Sequence, residues 1–308
     1  MTLTGPTATT ATATTTATAT TTATTAAAAA DSPVLALVRP ARQTHVVDIG
    51  ANPIDGDPPY RDMMRAGLCR VTGFEPQPDA LADLQRRKGP LETYLPDAVG
   101  DGGAHTLHVA AASGMTSLFR PDPNRLRLFN GFTEWGRIRE EVSIDTRRLD
   151  DIEEAGAFDL LKIDVQGAEL MVFQGAAQKL AEAVAVHTEV SFVPLYEDQP
   201  VFGDVDQELR RQGFIPHAFA AVKRWPIAPV VFGGDFRRAR HQLLEADVVY
   251  VRDFGRPESM TDEQLKQLAL VAHHVYGSTD LAYHCLGVLA ARDAAAPDAP
   301  NRYLAALG

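Results

Sequence analysis

Two segments roughly a hundred residues apart constrain this chain more than any others: VVDIGAN (46–52) and LLKIDVQGAEL (160–170). Each is a short apolar run that ends in a carboxylate and then breaks at glycine. A buried parallel strand brings an acid to its C-terminal tip and turns into a helix in this way. In open α/β sheets the ligand crevice lies at those tips. Two such tips on one chain point to a nucleotide-type cofactor site with reacting groups beside it.

The remaining patterns agree. Strands are predicted over 45–49, 70–74, 93–95, 158–165 and 183–192, alternating with helices over 60–66, 79–88, 168–180 and 205–212. Gly89 is the expected stop of the second helix. Late strands are predicted over 214–219 and 248–254, and residues 105–111 alternate like one arm of a hairpin. Residues 118–139 carry no regular period. The class is α/β with a mainly parallel sheet flanked by helices. After Phe254 the character becomes helical: Thr261 and Gln264 have capping-box spacing, and a further helix is expected over 279–291. Three parts follow: a tract over 1–31, a main domain over 32–256 and a helical appendage over 257–308. His273, His274 and His284 lie in the appendage without acidic or thiol partners at ligand spacing, so no metal site is predicted.

With 308 residues, 45% hydrophobic and 22% charged, the chain can bury a sizeable core. Its net charge of −11 argues against a nucleic-acid surface, which needs clustered Lys and Arg. One local basic group, Arg237, Arg238, Arg240 and His241, is either an anion contact or a solvated loop. Cys69 and Cys285 are isolated and lack CxxC spacing; Cys69 reads as a small buried hydrophobe. No apolar run is long enough to span a bilayer. The Thr/Ala tract has neither the basic start of a secretory signal nor the arginines of a mitochondrial presequence, so it reads as disordered or as translated repeat upstream of the true start. The cytosol is the expected compartment.

The first tip narrows the cofactor. A dinucleotide fold needs G-x-G-x-x-G after its first strand, so that pyrophosphate meets bare backbone. Here Asp48-Ile49-Gly50-Ala51-Asn52 is followed by the next glycine only at Gly56. An acid before the first glycine suits a ligand with a cationic head instead. Glu75 ends the second strand, 27 residues beyond Asp48, where a carboxylate can accept both ribose hydroxyls. S-adenosylmethionine, with an ammonium, a sulfonium and no phosphate, meets both requirements. Taken singly, Asp48 could merely cap its loop and Glu75 could merely be exposed.

The runs VDIGANPIDGDPPY, VTGFEP, AVGDG, SGMTSL, LLKIDVQGAEL and HTEVSFVPLY together resemble the FkbM family of S-adenosylmethionine-dependent methyltransferases, over residues 45–254. The family form usually has Glu where this chain has Gln166. The resemblance implies a class I methyltransferase fold and methylation of a hydroxyl on a sugar or polyketide-like acceptor. It further implies that Asp48, Gly50, Ala51 and Asn52 shape the methionine pocket and that Glu75 holds the ribose. Asp97, Ala98 and Val99 would line the adenine with help from Asp101, and Asp164 would face the transferable methyl. The long loop at 53–59 departs from the shorter glycine loop of many relatives.

Methyl transfer is an in-line displacement, so positioning is the main contribution of the protein, with a base within reach of an alcohol nucleophile. Asp164, Glu189 and His187 are the candidates; His187 and Glu189 lie two residues apart on one strand face. Lys162 shares the side of Asp164 and is a candidate ion-pair partner. Glu169 opens a helix, where a carboxylate also complements the dipole. Trp135, Trp225 and Tyr196 could stack on a sugar or simply fill core. Two other readings stay open: a non-catalytic binding module on a degenerate methyltransferase fold, and a nicotinamide-dependent oxidoreductase. Neither the acceptor nor the oligomeric state is legible in the sequence.

Overall fold

The computed structural model describes residues 32–53, 56–238 and 241–308. The Thr/Ala tract and Arg240 lie outside these. Among the described residues there are ten strands: β1 (Thr44–Ile49), β2 (Cys69–Phe74), β3 (Glu92–Leu95), β4 (Ala98–Val99), β5 (Ala104–Ala110), β6 (Ile138–Arg147), β7 (Leu160–Ile163), β8 (Ala185–Ser191), β9 (Phe214–Arg224) and β10 (Leu243–Arg252). Seven of them form the main sheet in the order β3-β2-β1-β7-β8-β10-β9. β10 runs antiparallel to both its neighbours, and the other pairings are parallel. This is the class I methyltransferase arrangement, with the strand order reversing between β1 and β7. That switch point is where the crevice of an open α/β sheet forms.

Alternation along the strands assigns the two faces. Val46, Leu160, Ala185 and Val249 point to one side, where the helices Asp262–His274 and Thr279–Ala291 pack with Pro33–Val38. Val47, Leu161, Val186 and Val248 point to the other, against Glu169–Gln174, Ala177–Glu182 and Phe202–Arg211. Both faces of the sheet are therefore covered, which explains the near-continuous apolar runs of β1 and β7. The C-terminal helices supply one of these layers: Leu265, Leu268 and Leu286 are buried in the same cluster as Val46 and Val249. The three C-terminal histidines make separate bonds, His273 with Tyr303, His274 with Ser32 and His284 with the Phe254 carbonyl.

Several predicted elements shift on folding. The alternating segment β5 pairs antiparallel as a hairpin arm would, with β6 more than twenty residues further on, and His108 also bridges the nearer Ser117. β6 begins at the end of the segment without a regular period and joins β4 and β5 in a second, three-stranded sheet. The single helix expected over 168–180 is two, broken at Gly175 and Ala176. A Cβ at Gly175 would stand 2.7 Å from the Gly100 carbonyl oxygen, so the break lets the chain pass close under the turn that follows β4. Gly89 does not close its helix in a left-handed cap; Lys88 leaves the helix in an extended conformation. Helices at Pro33–Val38 and Ala299–Leu307 have no counterpart in the sequence patterns.

Leu268 is fully buried between the sheet and the C-terminal helices. Leu268→Ala is expected to cost about 2–5 kcal/mol. If residues 257–308 fold with the sheet, near-UV and far-UV signals should lose that stability together in urea titrations. Two separate transitions would instead make the C-terminal helices an independent unit.

Candidate functional site

Backbone hydrogen bonds hold the strand tips in a row. Gly50 and Ala51 N–H donate to the Phe74 carbonyl at 3.1 Å, Asp164 N–H donates to the Ile49 carbonyl at 3.1 Å, and Glu75 N–H donates to the Leu95 carbonyl at 3.0 Å. Each bond carries the pairing one step past the end of a strand. Gly50 has φ +76°, and a Cβ there would lie 2.1 Å from the Asp164 carbonyl oxygen. Only glycine lets the first tip nest against the fourth.

A cavity of about 370 Å³ opens over this edge, within the range of small-molecule sites. Asp48, Gly50, Ala51, Asn52, Glu75, Asp97, Ala98, Val99, Asp164 and His187 all line it. Asp101 and Glu189 do not. Asp101 sits in the exposed turn after Gly100 and accepts bonds from Gly103 N–H and His105, both at 2.8 Å, which hold its carboxyl below the usual range. Glu189 lies beside the wall, near Asp164 and Glu245. The acids of the wall, Asp48, Asp57, Glu75, Asp97, Asp164 and Asp247, face one basic side chain among the described lining residues, Lys162.

Lys162 is paired opposite Asp48 across β1 and β7, and His187 is paired opposite Lys162 across β7 and β8. The three side chains form one polar row above the apolar face. Lys162 Nζ stands 3.2 Å from Asp48 Oδ1 and donates to the Gly50 carbonyl at 3.1 Å. Tyr60, from the helical turn after the loop, donates to Asp48 Oδ2 at 2.5 Å. Burial pushes the Asp48 carboxyl up, with Lys162 and Tyr60 opposing. Burial works against the Lys162 ammonium, but Asp48 and Asp164 outweigh it and hold its pKa above the ordinary value. His187 is pressed down to about 4 by burial and then by the Lys162 charge, so it is neutral at physiological pH. Its Nδ1 lies 3.4 Å from the Tyr276 hydroxyl.

At the second tip Glu75 is buried and accepts Gln77 N–H at 2.8 Å, and burial raises its pKa. At the third, Arg147 holds Asp97 at 2.8 Å. The fourth tip turns through Gln166, which has φ +53°, a strained conformation for a residue with a side chain. Its carbonyl accepts the Ser117 hydroxyl at 2.7 Å. Its amide donates to Asp164 Oδ1 at 2.7 Å and to Glu189 Oε1 at 3.4 Å. Two carboxyl groups thus share one amide, and Asp164 lies in the cavity wall. A glutamate at this position would add a third acid to the cluster. Burial, then Glu245 and Asp164, keep Glu189 well above the carboxylate range, so it resists ionisation.

Sequence reasoning missed four members of this site. Tyr60 and Ser117 belong to the quoted runs GANPIDGDPPY and SGMTSL, but nothing in the pattern pairs them with Asp48 or Gln166. Asp247 interrupts an apolar strand, a signal that was available; it faces the cavity opposite Glu189, and burial with Asp164 pushes it to about 6. Gln166 was visible only as a departure from the family form. Trp135 and Trp225 lie in an aromatic cluster beside the cavity and are not in its wall.

The Methyltransferase FkbM domain matches residues 48–216. Among characterised proteins, the 2-O-methyltransferase NoeI of Sinorhizobium fredii (strain NBRC 101917 / NGR234) is 32% identical over 166 residues, covering 50% of this chain and 66% of that protein. The chain thus spans just under two thirds of that relative. Weaker likenesses exist to solved structures. The magnesium protoporphyrin IX methyltransferase ChlM of Synechocystis PCC 6803 with bound SAM has a TM-score of 0.36 at 11% identity, over 76% of this chain and 79% of that one. The precorrin-6y C5,15-methyltransferase of Geobacter metallireducens GS-15 has 0.35 at 8% identity, over 74% and 87%. The protein has the class I fold of a methyltransferase. It belongs to the FkbM methyltransferase family, whose cofactor is S-adenosyl-L-methionine.

Glu169 accepts Val165 N–H at 2.9 Å and Gly167 N–H at 3.0 Å beneath the Gln166 turn, and burial pushes its pKa up to about 7. The folded protein therefore holds this proton more tightly than the unfolded chain, whose ordinary value is 4.5. The stability it contributes is complete below that value and lost as pH rises through about 7. Urea titrations at about pH 5 and about pH 8 should show Glu169→Gln removing about 1–3 kcal/mol of this dependence. An unaltered slope would place the titration elsewhere.

Proposed function

We propose that this protein methylates a hydroxyl oxygen of a sugar or natural-product acceptor. The observation that carries the reading is the cavity at the switch point, lined by Asp48, Glu75, Asp97 and Asp164 from four strand ends, with its lone lysine among the described lining residues already bound to Asp48. Such a wall suits a cationic nucleoside without phosphates and repels a pyrophosphate. Asp48, Gly50, Ala51 and Asn52 would hold the methionine end, Glu75 the ribose, and Asp97 to Val99 the adenine. When bound, S-adenosylmethionine supplies a methyl group on a sulfonium whose thioether leaves readily.

The chain's own work is then to orient and to manage one proton. Asp164, aimed by Gln166, accepts a hydrogen bond from the acceptor hydroxyl and aligns its oxygen. His187 is a neutral second acceptor in the same wall. Glu189 acts through Gln166 and outside the cavity. Oxygen as the nucleophile is supported by the name of the relative, a 2-O-methyltransferase. The oxidoreductase reading finds no support in the tip glycines, and a purely binding role gives no reason for the retained acids.

Calorimetry should give binding of S-adenosylmethionine and none of NADH. Glu75→Ala should weaken the cofactor at least about tenfold without loss of fold. Asp164→Asn should leave that affinity within about twofold and lower kcat about a hundredfold or more. Asp48→Ala should lose cofactor and stability together, because it strands the buried Lys162 charge. Tight binding of NADH alone would overturn the proposal.

A further inference from the structure

The excursion between β9 and β10, with the segment before β6 on which it packs, forms a face that the methyl-transfer reading does not use. Seven of the eleven exposed large hydrophobic side chains of the described residues lie here or on β9, among them Ile227 at 52%, Val231 at 47%, Val230 at 46% and Leu128 at 40%. The segments that carry Leu128, Ile227 and Val230 are neighbours in space. Ala228 N–H donates to the Leu128 carbonyl at 2.8 Å, Ile227 bridges Phe129, and the Asn130 amide donates to the Val230 carbonyl at 2.9 Å. A packed aromatic block of Phe132, Trp135, Trp225 and Phe236 supports them, with centroids 5.2–6.4 Å apart. The aliphatic tips remain exposed above this filled core.

Charge is segregated to the same place. Residues 119–139 and 222–241 hold ten of the chain's 29 Lys and Arg residues but only three of its 40 acids, in a protein of net charge −11. Among the described residues Arg125, Arg127, Arg224, Arg237 and Arg238 have no carboxylate within ion-pair distance. Met115, from the 113–118 segment at the cavity wall, shares a core with Phe129, Phe132 and Trp225. Exposed aliphatic tips on the same segments as arginines that lack a carboxylate partner, with Arg237 lying over the Trp135 and Phe236 rings, match the chemistry of a bilayer interface, where apolar groups enter the acyl boundary and cations meet anionic headgroups. A nucleic acid would need several accessible rings for stacking; of the exposed large side chains described within 119–139 and 225–241, only Phe236, at 36%, is a ring, and the others are aliphatic.

We propose that this face docks the protein on the surface of an anionic lipid bilayer, with the cavity wall beside the contact. The docking rests on residues outside the cofactor site, so it stands or falls independently of the acceptor chemistry.

The test is co-sedimentation of the full chain with vesicles of phosphatidylcholine alone and of phosphatidylcholine mixed with phosphatidylglycerol. Binding to the mixed vesicles should exceed binding to the neutral ones about tenfold and weaken as salt is raised. The double variant Ile227→Asp with Val230→Asp, and separately Arg125→Glu with Arg224→Glu, should each lower it about tenfold while melting temperature and circular dichroism stay unchanged. Equal binding to both vesicles, no binding, or variants that bind like the parent would overturn the proposal. So would a dimer in sedimentation that the aspartate variant dissociates without lipid, since the face would then belong to a second copy.

Discussion

The buried pair of Asp48 and Lys162 spans the point where the strand order reverses, and the edge of the sheet is organised around it. The charges lie 3.2 Å apart in a setting that penalises either one alone. Removing one partner of such a pair is costly because the other is left unsolvated. The lysine also binds the Gly50 carbonyl and so ties the first turn to β7. Register does the rest. Because Asp48, Lys162 and His187 are direct cross-strand neighbours, one polar row lies under the cavity without disturbing the apolar rows below it.

Around this row the acids divide into two kinds. Asp48 and Asp97 are already neutralised by Lys162 and Arg147, so both have a structural part in the site. Asp164, Glu189, Glu245 and Asp247 crowd together at the β7–β8–β10 side of the edge, with Glu245 held by Lys223. Burial, and then the neighbouring acids, raise Glu189 and Asp247, and an amide donor sits between Asp164 and Glu189. Gln166 supplies it from a left-handed backbone, so strain in one residue secures the direction of Asp164.

Much of the fold was legible because its signals are local. A buried strand that ends in an acid and glycine needs no distant partner to be recognised, and both tips stand where the pattern set them. The capping box of Thr261 and Gln264 forms as expected, and the helix Thr279–Ala291 has the predicted bounds. β6 was not legible, since its strand character depends on pairing with β5. The break at Gly175 was hidden for a similar reason: the obstacle is the Gly100 carbonyl, remote in sequence.

The candidate site divides along the same line. By itself the sequence determined the types of group at each strand tip, the absence of a dinucleotide glycine loop, and hence the charge of the ligand that would fit. Only the tertiary structure decided which acids face the cavity: it admitted Asp247, left Glu189 and Asp101 outside the wall, and coupled Asp48 to Lys162 and Tyr60. Residue type and strand periodicity are written along one chain. The electrostatic environment of a carboxylate is the sum over neighbours that come together only when the sheet closes.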